Sequence, residues 1–397
     1  MSLKITKVEV IPISTPMKRA QLMRGATLAR IDGVLLKLHS DEGLVGIADA
    51  GDTSSWYRGE TQDSITSMIC DFFAPKVLLG EDPTKIEKIV GRMDILTRDN
   101  NQAKATVDFA LHDLVGKRFG VPVYQLLGGK TIERIPLGLV LGAGEPEAVA
   151  EEALAVLREG FHFVKLKAGG PLKADIAMVA EVRRAVGDDV DLFIDINGAW
   201  TYDQALTTIR ALEKYNLSKI EQPLPAWDLD GMARLRGKVA TPIYADESAQ
   251  ELHDLLAIIN KGAADGLMIK TQKAGGLLKA QRWLTLARLA NLPVICGCMV
   301  GSGLEASPAA HLLAANDWIA QFPQENAGPL HIHDCLNSRD IDNDIALNVP
   351  RFEGGYLYPN DGPGLGIELN EDLVRRLVTP GKAARVVTAE GHHHHHH

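Results

Sequence analysis

The chain is poor in cysteine, in runs of basic residues and in long apolar stretches, and each shortage closes off a class of function. Four cysteines in 397 residues are too few for a disulfide framework. Cys296 and Cys298 stand together as Cys-Gly-Cys. They lack the spacing and partners of zinc sites, so they read as small buried thiols. Lysine and arginine number 42 against 51 aspartates and glutamates, a formal charge of −9, and no basic tract offsets it. That argues against nucleic acid and against an anionic membrane surface as partners. There is no run of about 18 or more apolar residues and no signal-peptide pattern, so the expectation is a cytoplasmic protein without a membrane span. An acidic chain with an anionic substrate needs local positive charge, which gives lysines inside a pocket added interest.

What is present is ordinary for a soluble globular protein: 46% hydrophobic and 23% charged residues, with length enough for two domains. Residues 1–128 read as an α+β unit. "KITKVEVIPIS" reads as a strand, and "VLLKLHSDEGLVGIADAG" as two strands joined at the Asp41-Glu42-Gly43 turn. "AKATVDFALHDLVGKRFG" reads as a helix stopped by Gly120 and Pro122. Residues 129–340 change rhythm. Eight short apolar runs, from "IPLGLVL" through "FVKLK", "DLFIDI", "LSKIEQ", "PIYADE", "DGLMIK" and "LPVICGC" to "WIAQFPQ", alternate with amphipathic helical stretches. This is the pattern of parallel βαβ units closing into a (β/α)₈-type barrel. An open doubly wound sheet is the alternative, but no Gly-rich dinucleotide fingerprint follows the first strands. Residues 341–389 are rich in Gly and Pro and then briefly helical, and are expected to return to the first unit. Residues 390–397, "EGHHHHHH", have the form of a purification tag.

In such a barrel the chemistry lies where strands run into βα loops. The second run ends in Lys165 and Lys167, the third in Asp195 and Asn197, the fourth in Glu221, the fifth in Asp246 and Glu247, the sixth in Lys270. From Lys167 the steps are 28 residues to Asp195, 26 to Glu221, 25 to Asp246 and 24 to Lys270. Each step is about one βα unit, so the five stand at matching heights on adjacent strands. Alternation puts Lys165 with Lys167, and Asp195 with Asn197, on the inner face, while Leu192, Ile194 and Ile196 face the helices. A single charge at a strand end is more often a cap or turn residue; five in register are not. Three buried carboxylates repel and a lone buried lysine is costly, but around a divalent cation they are mutually consistent. Oxygen donors without His or Cys favour Mg²⁺. A lysine acts as a base once its pKa is lowered, and Lys165 beside Lys167 is expected to contribute to that. Lys165 is also placed to hydrogen-bond a substrate oxygen as negative charge develops. Two rival readings use other residues. "HIHDC" offers His331, His333 and Cys335 as zinc ligands for a hydrolase, and the glycines of residues 301–303 offer a phosphate cradle for a binding barrel.

Lys-x-Lys on the second strand, Asp, Glu and Asp on the next three, and Lys on the sixth resemble the enolase superfamily, muconate-lactonizing-enzyme subgroup. The resemblance spans nearly the whole chain. It implies a modified (β/α)₇β TIM-type barrel with an α+β capping domain, to which residues 1–128 and 341–389 correspond. It implies Mg²⁺ held by Asp195, Glu221 and Asp246, acid/base lysines Lys167 and Lys270 on opposite faces of a small carboxylate substrate, and Lys165 as auxiliary. The implied step is removal of the proton α to the carboxylate, giving an enediolate. That step serves racemases and epimerases, and equally cycloisomerases, N-acyl amino acid racemases and dehydratases. A homo-oligomer is expected. Selection among these falls to the loops. Trp56 and Tyr57 in "GDTSSWYRGET", with Phe322 after the last run, offer aromatic walls to a quaternary ammonium. In this the chain is most similar to the hydroxyproline betaine epimerases of the family. The loop "CGCMVGSGLEAS" lacks the Asp-x-Asp with which dipeptide epimerases hold an α-ammonium.

Overall fold

The structure is a computed structural model that describes residues 2–23 and 26–395. Its first part is a five-stranded antiparallel sheet in the order Gly391–His395, Ala384–Thr388, Ile5–Met23, Ala26–Ser40, Val45–Asp49. Alternation decides which face is buried: Val8 and Val10 pair with Leu38 and Leu36, and all four are buried. The helix Asn101–Phe119 covers that face. A Cβ on Gly46 would lie 2.3 Å from the Ala110 carbonyl oxygen, so only glycine lets helix and strand approach this closely. The helix ends as its sequence predicts, at Gly120 with φ 68°. It is buried on every side from Asn101 to Gly116, because its other face meets the barrel. There Asp108 accepts the Leu277 and Leu278 amides at 2.6 and 3.3 Å, at the start of the helix Leu277–Leu289.

Seven parallel strands form the barrel wall in chain order: Leu139–Leu141, Val164–Lys167, Leu192–Asp195, Ile220–Glu221, Ile243–Ala245, Gly266–Ile269 and Val294–Cys296. The eighth run differs from its sequence expectation. Ile319–Gln321 is a 3₁₀ turn, and Pro323 has no amide to give a ladder. The wall is closed instead at Gln324. Its N–H donates to the Pro136 carbonyl at 2.8 Å, and its own carbonyl accepts from Gly138 at 2.7 Å. On the other side the Glu325 N–H donates to Cys296 O at 3.0 Å, and the Gln324 side chain accepts the Cys296 amide. One glutamine thus does the work of a strand.

Inside the barrel, away from the strand C-termini, Phe163, Phe193, Tyr244, Met268 and Ile295 form their own cluster. Leu192, Ile194 and Ile196 pack outward in the main core, as alternation requires. Glycines make room for the inner rings. A Cβ on Gly266 would lie 2.2 Å from the Tyr244 ring, and one on Gly138 would lie 2.1 Å from Phe163. No helix among the described residues is long and apolar enough to cross a membrane. Gly266→Ala overpacks a filled interior, so it is expected to lower unfolding stability by about 1–3 kcal/mol, read by chemical denaturation. An unchanged midpoint and slope would refute the packing of this layer.

Candidate active site

Parallel register brings the strand-end charges to one level. Lys167 pairs directly with Asp195, and Asp195 with Glu221, in adjacent ladders. Asp246 follows the fifth strand at once, and Lys270 the sixth. Every named charge of the barrel strands therefore converges on the mouth. Lys165 is 3% exposed and donates to Glu221 Oε2 and Glu325 Oε1, both at 2.8 Å, with Asp195 Oδ2 at 3.8 Å. Lys167 donates to Asp195 Oδ2 at 2.7 Å and to Asn197 Oδ1 at 3.2 Å. Asn197, in the left-handed region at φ 50°, passes the network on from its amide to Glu247 Oε1 at 2.8 Å. Asp246 Oδ1 accepts from the Tyr57 hydroxyl and from Lys273 Nζ, each at 2.7 Å.

Three groups of the site were not named from the sequence, Glu325, Lys273 and Gln222, and Glu247 was named as a strand-end residue without a site role. Gln222 is fully buried, and its Oε1 accepts the amides of Asp246 and Ser248 at 2.9 and 3.2 Å, pinning the fifth strand end to the fourth. A signal existed for Lys273, three residues past Lys270 and so one helical turn on. Glu325 had none, because its place depends on closure at Gln324.

The electrostatics depart from one expectation. Lys165 does press the Lys167 pKa down, as expected, but the net shift of Lys167 is upward. Burial does oppose the charge on both, but carboxylates outweigh it. Glu221, Glu325 and Asp195 hold Lys165 well above the usual lysine range, and Asp195 holds Lys167 above it. Burial likewise works against the Asp246 carboxylate, yet Lys273 and Lys270 hold it well below its ordinary value. Burial, then the neighbouring Asp246 and Asp195 charges, push Glu247 up to about 7.

The donor set fits a divalent cation. Glu221 Oε1, Glu247 Oε2 and Glu325 Oε2 are buried without a hydrogen-bond partner, and an orphaned buried acceptor costs about 1–3 kcal/mol. Oxygen-only donors suit Mg²⁺. One oxygen of each of Asp195, Glu221 and Asp246 is turned onto a lysine, and that of Asp246 onto Tyr57 as well. Among the described residues the one acidic or His/Cys triad with ligand atoms all within 4.8 Å is Glu251, His253 and Asp254, at the start of the helix Leu252–Lys261 and sharing no residue with the strand-end charges.

Of the aromatic residues, Tyr57 reaches the site and Trp56 stands edge-on to it, ring centroids 5.5 Å apart and 39% exposed, on the rim. Phe322 does not reach it. Its ring packs on Trp318, 5.4 Å away, and Trp318 bonds Leu292 before the seventh strand begins, at the opposite end of the barrel. The physical reason is the 3₁₀ turn, which delays entry into the wall until Gln324. The zinc reading fails on geometry. His331 and His333 lie on the short helix Gly328–His333, Cys335 bonds the Asn337 carbonyl, and among the described residues the three do not bring their ligand atoms within 4.8 Å of one another. Burial, with the Lys165 and Lys167 charges, pushes His331 down to about 4, so it faces the site as a neutral ring. The phosphate cradle fails as well, since carboxylates occupy its donors: Asp344 takes the Gly303 amide, and Asp49 takes the Ser302 amide and hydroxyl. A cleft of about 910 Å³ lined by Lys117, Lys130, Arg351 and Asp361 lies elsewhere and contains none of the strand-end groups.

Residues 148–373 match the family described as enolase C-terminal domain-like, and residues 5–128 match the mandelate racemase / muconate lactonizing enzyme N-terminal domain. A solved mandelate racemase/muconate lactonizing family protein from Azoarcus sp. EbN1 is 97% identical, with TM-score 0.93, over 97% of this chain and all of that one. The N-succinyl-L-Arg/Lys racemase of Bacillus cereus is 32% identical over 376 residues, 94% of this chain and 98% of its own. A dipeptide epimerase from Enterococcus faecalis, solved with Mg and L-Leu-L-Tyr, is 31% identical with TM-score 0.84, covering 93% of this chain and all of that one.

Titration calorimetry of metal-stripped protein with Mg²⁺ is expected to give one site per chain, with Asp195→Asn or Asp246→Asn weakening it by at least about 10-fold; unchanged affinity in both would remove them as ligands. Strand-end charges, capping sheet and barrel lead to one conclusion: the chain is an enzyme of the mandelate racemase/muconate lactonizing enzyme family, within the enolase superfamily.

Proposed function

We propose that the chain is a Mg²⁺-dependent racemase or epimerase that moves the proton α to a substrate carboxylate between Lys167 and Lys270. The observation that carries the reading is placement. The two lysines end the second and sixth of eight wall positions, which face each other across the barrel axis. A substrate between them has one lysine on each side of its α-carbon. One lysine takes the proton and the other, as an ammonium, returns one to the far face; in the reverse direction they exchange roles. Lys167 donates to Asp195 Oδ2 and Asn197 Oδ1, which fixes its head group at the mouth. Lys165 spends two of its three N–H donors on Glu221 and Glu325 and keeps one for a substrate carboxylate oxygen. Mg²⁺, with Asp195, Glu221 and Asp246 as its ligands, would supply positive charge where the carboxylate becomes more negative.

For the substrate we propose an amino-acid derivative with a blocked nitrogen. The loop of residues 296–307 has no Asp-x-Asp to hold a free α-ammonium. Within this class two readings differ. 4-Hydroxyproline betaine rests on the aromatic residues, but Phe322 is remote and the face of Tyr57 is turned to Lys270, leaving Trp56. An N-acylated amino acid is favoured by the B. cereus relative named for N-succinyl-L-Arg/Lys. A deuterium-exchange panel of N-succinyl amino acids, proline betaines, free dipeptides and muconate decides between them. Preference for free dipeptides or muconate would sink the blocked-nitrogen class.

The two-lysine mechanism has its own test. Lys167→Ala and Lys270→Ala are each expected to cut racemisation by about 10²–10⁴-fold. In D₂O, each variant should still exchange the α-proton of one stereoisomer, and a different one in each case. Wild-type racemisation by Lys270→Ala would overturn the mechanism.

A further inference from the structure

The four lysines at the mouth are not held alike. Lys165, Lys167 and Lys273 each donate to a carboxylate. Among the described residues Lys270 donates no hydrogen bond and enters no ion pair. Its Nζ lies 4.0 Å from the centroid of the Tyr57 ring. Its stem passes over Gly297, where an added Cβ would lie 3.2 Å from the lysine Cε. Tyr57 is in turn fixed at its hydroxyl, which donates to Asp246 Oδ1 at 2.7 Å, the oxygen that Lys273 also holds. The ring thus comes from the short helix Ser55–Arg58 of the N-terminal part and is clamped to the barrel on one edge.

We infer that Tyr57 is the positioning residue of Lys270. Its ring face seats the lysine's own ammonium by cation–π attraction, so one partner of the proton exchange is aimed by a residue outside the barrel. The chemistry favours this over a substrate-binding role for the same face. A tyrosine face is attractive to a cation within about 6 Å of its centroid, and Lys270 is already there. A carboxylate in its place would bind the ammonium more firmly and compete for the proton that the lysine must exchange. The ring directs the head group without accepting that proton. The hydroxyl contact to Asp246 stops the ring from turning, and Gly297 leaves the stem a straight path. Misplacement of a proton-transfer group by about 1 Å costs on the order of 10²-fold, so seating matters more here than binding strength.

This inference rests on the two-lysine reading, and its test separates the two. The first measurement needs no substrate. With [¹³Cε]lysine in the full-length protein, the Lys270 resonance is assigned by its loss in Lys270→Arg. Its ε-protons should be shifted upfield by the ring; Tyr57→Phe should keep the shift and Tyr57→Leu abolish it. No such shift in the wild type would overturn the placement, whatever the enzyme acts on. The second uses N-succinyl-L- and D-lysine and L- and D-proline betaine in D₂O. Tyr57→Leu should slow α-proton exchange about 10- to 100-fold for the stereoisomer whose exchange Lys270→Ala also loses. Exchange of the other stereoisomer should stay within about 3-fold, with Tyr57→Phe nearer wild type for both. Equal slowing of both would make Tyr57 a lid or a substrate wall and overturn the inference. If the wild type exchanges none of these probes, the proposed function fails while the resonance still decides the placement.

Discussion

The ammonium of Lys165 is the point on which the barrel mouth depends. It is 3% exposed and shared at 2.8 Å by Glu221 and Glu325. A charge buried this deeply is tolerated only when it is paired and hydrogen-bonded, and removal of one partner leaves an uncompensated ion. The strands must therefore deliver opposite charges at one height. Parallel register does this without any loop: Lys167, Asp195 and Glu221 are ladder neighbours. The remaining partner, Glu325, arrives because the wall closes there: Gln324 bonds Pro136 and Gly138 through its main chain, and the Glu325 N–H and the Gln324 side chain bond Cys296.

Two parts of the chain meet over that mouth, and polar stitches hold them. The helix Asn101–Phe119 serves both cores. Asp108 caps a barrel helix, and Asp113 accepts the Ile47 and Leu365 amides from the capping sheet and the C-terminal stretch. Asn101 donates to the main-chain carbonyl of Lys273, the lysine whose side chain holds Asp246. Tyr57 makes the final link. Through such contacts, capping residues reach the barrel mouth while the barrel supplies the charges.

Much of this was legible in the sequence. Asp195, Glu221, Asp246, Lys167 and Lys270 follow one another at steps of one βα unit, and period-two alternation put Lys165 with Lys167 and Leu192 with the outer core. Both are local rules, and the structure obeys them. The eighth run was misread because an apolar stretch of strand length can also be a 3₁₀ turn when a proline follows. That error moved Phe322 to the site and hid Glu325. The lowering of Lys167 by Lys165 was legible, but its net upward shift was not, because that hinges on which carboxylate touches which ammonium.

The sequence by itself determined the inventory and its height: which strand ends carry acid and which carry base, since strand geometry converts spacing directly into position. Only the tertiary structure decided the pairing. Lys165 meets Glu325 across 160 residues, and Tyr57 meets Asp246 across 189. Contacts at that separation are set by closure of the wall and docking of the capping sheet, and no local periodicity encodes where a closed surface brings two distant segments together.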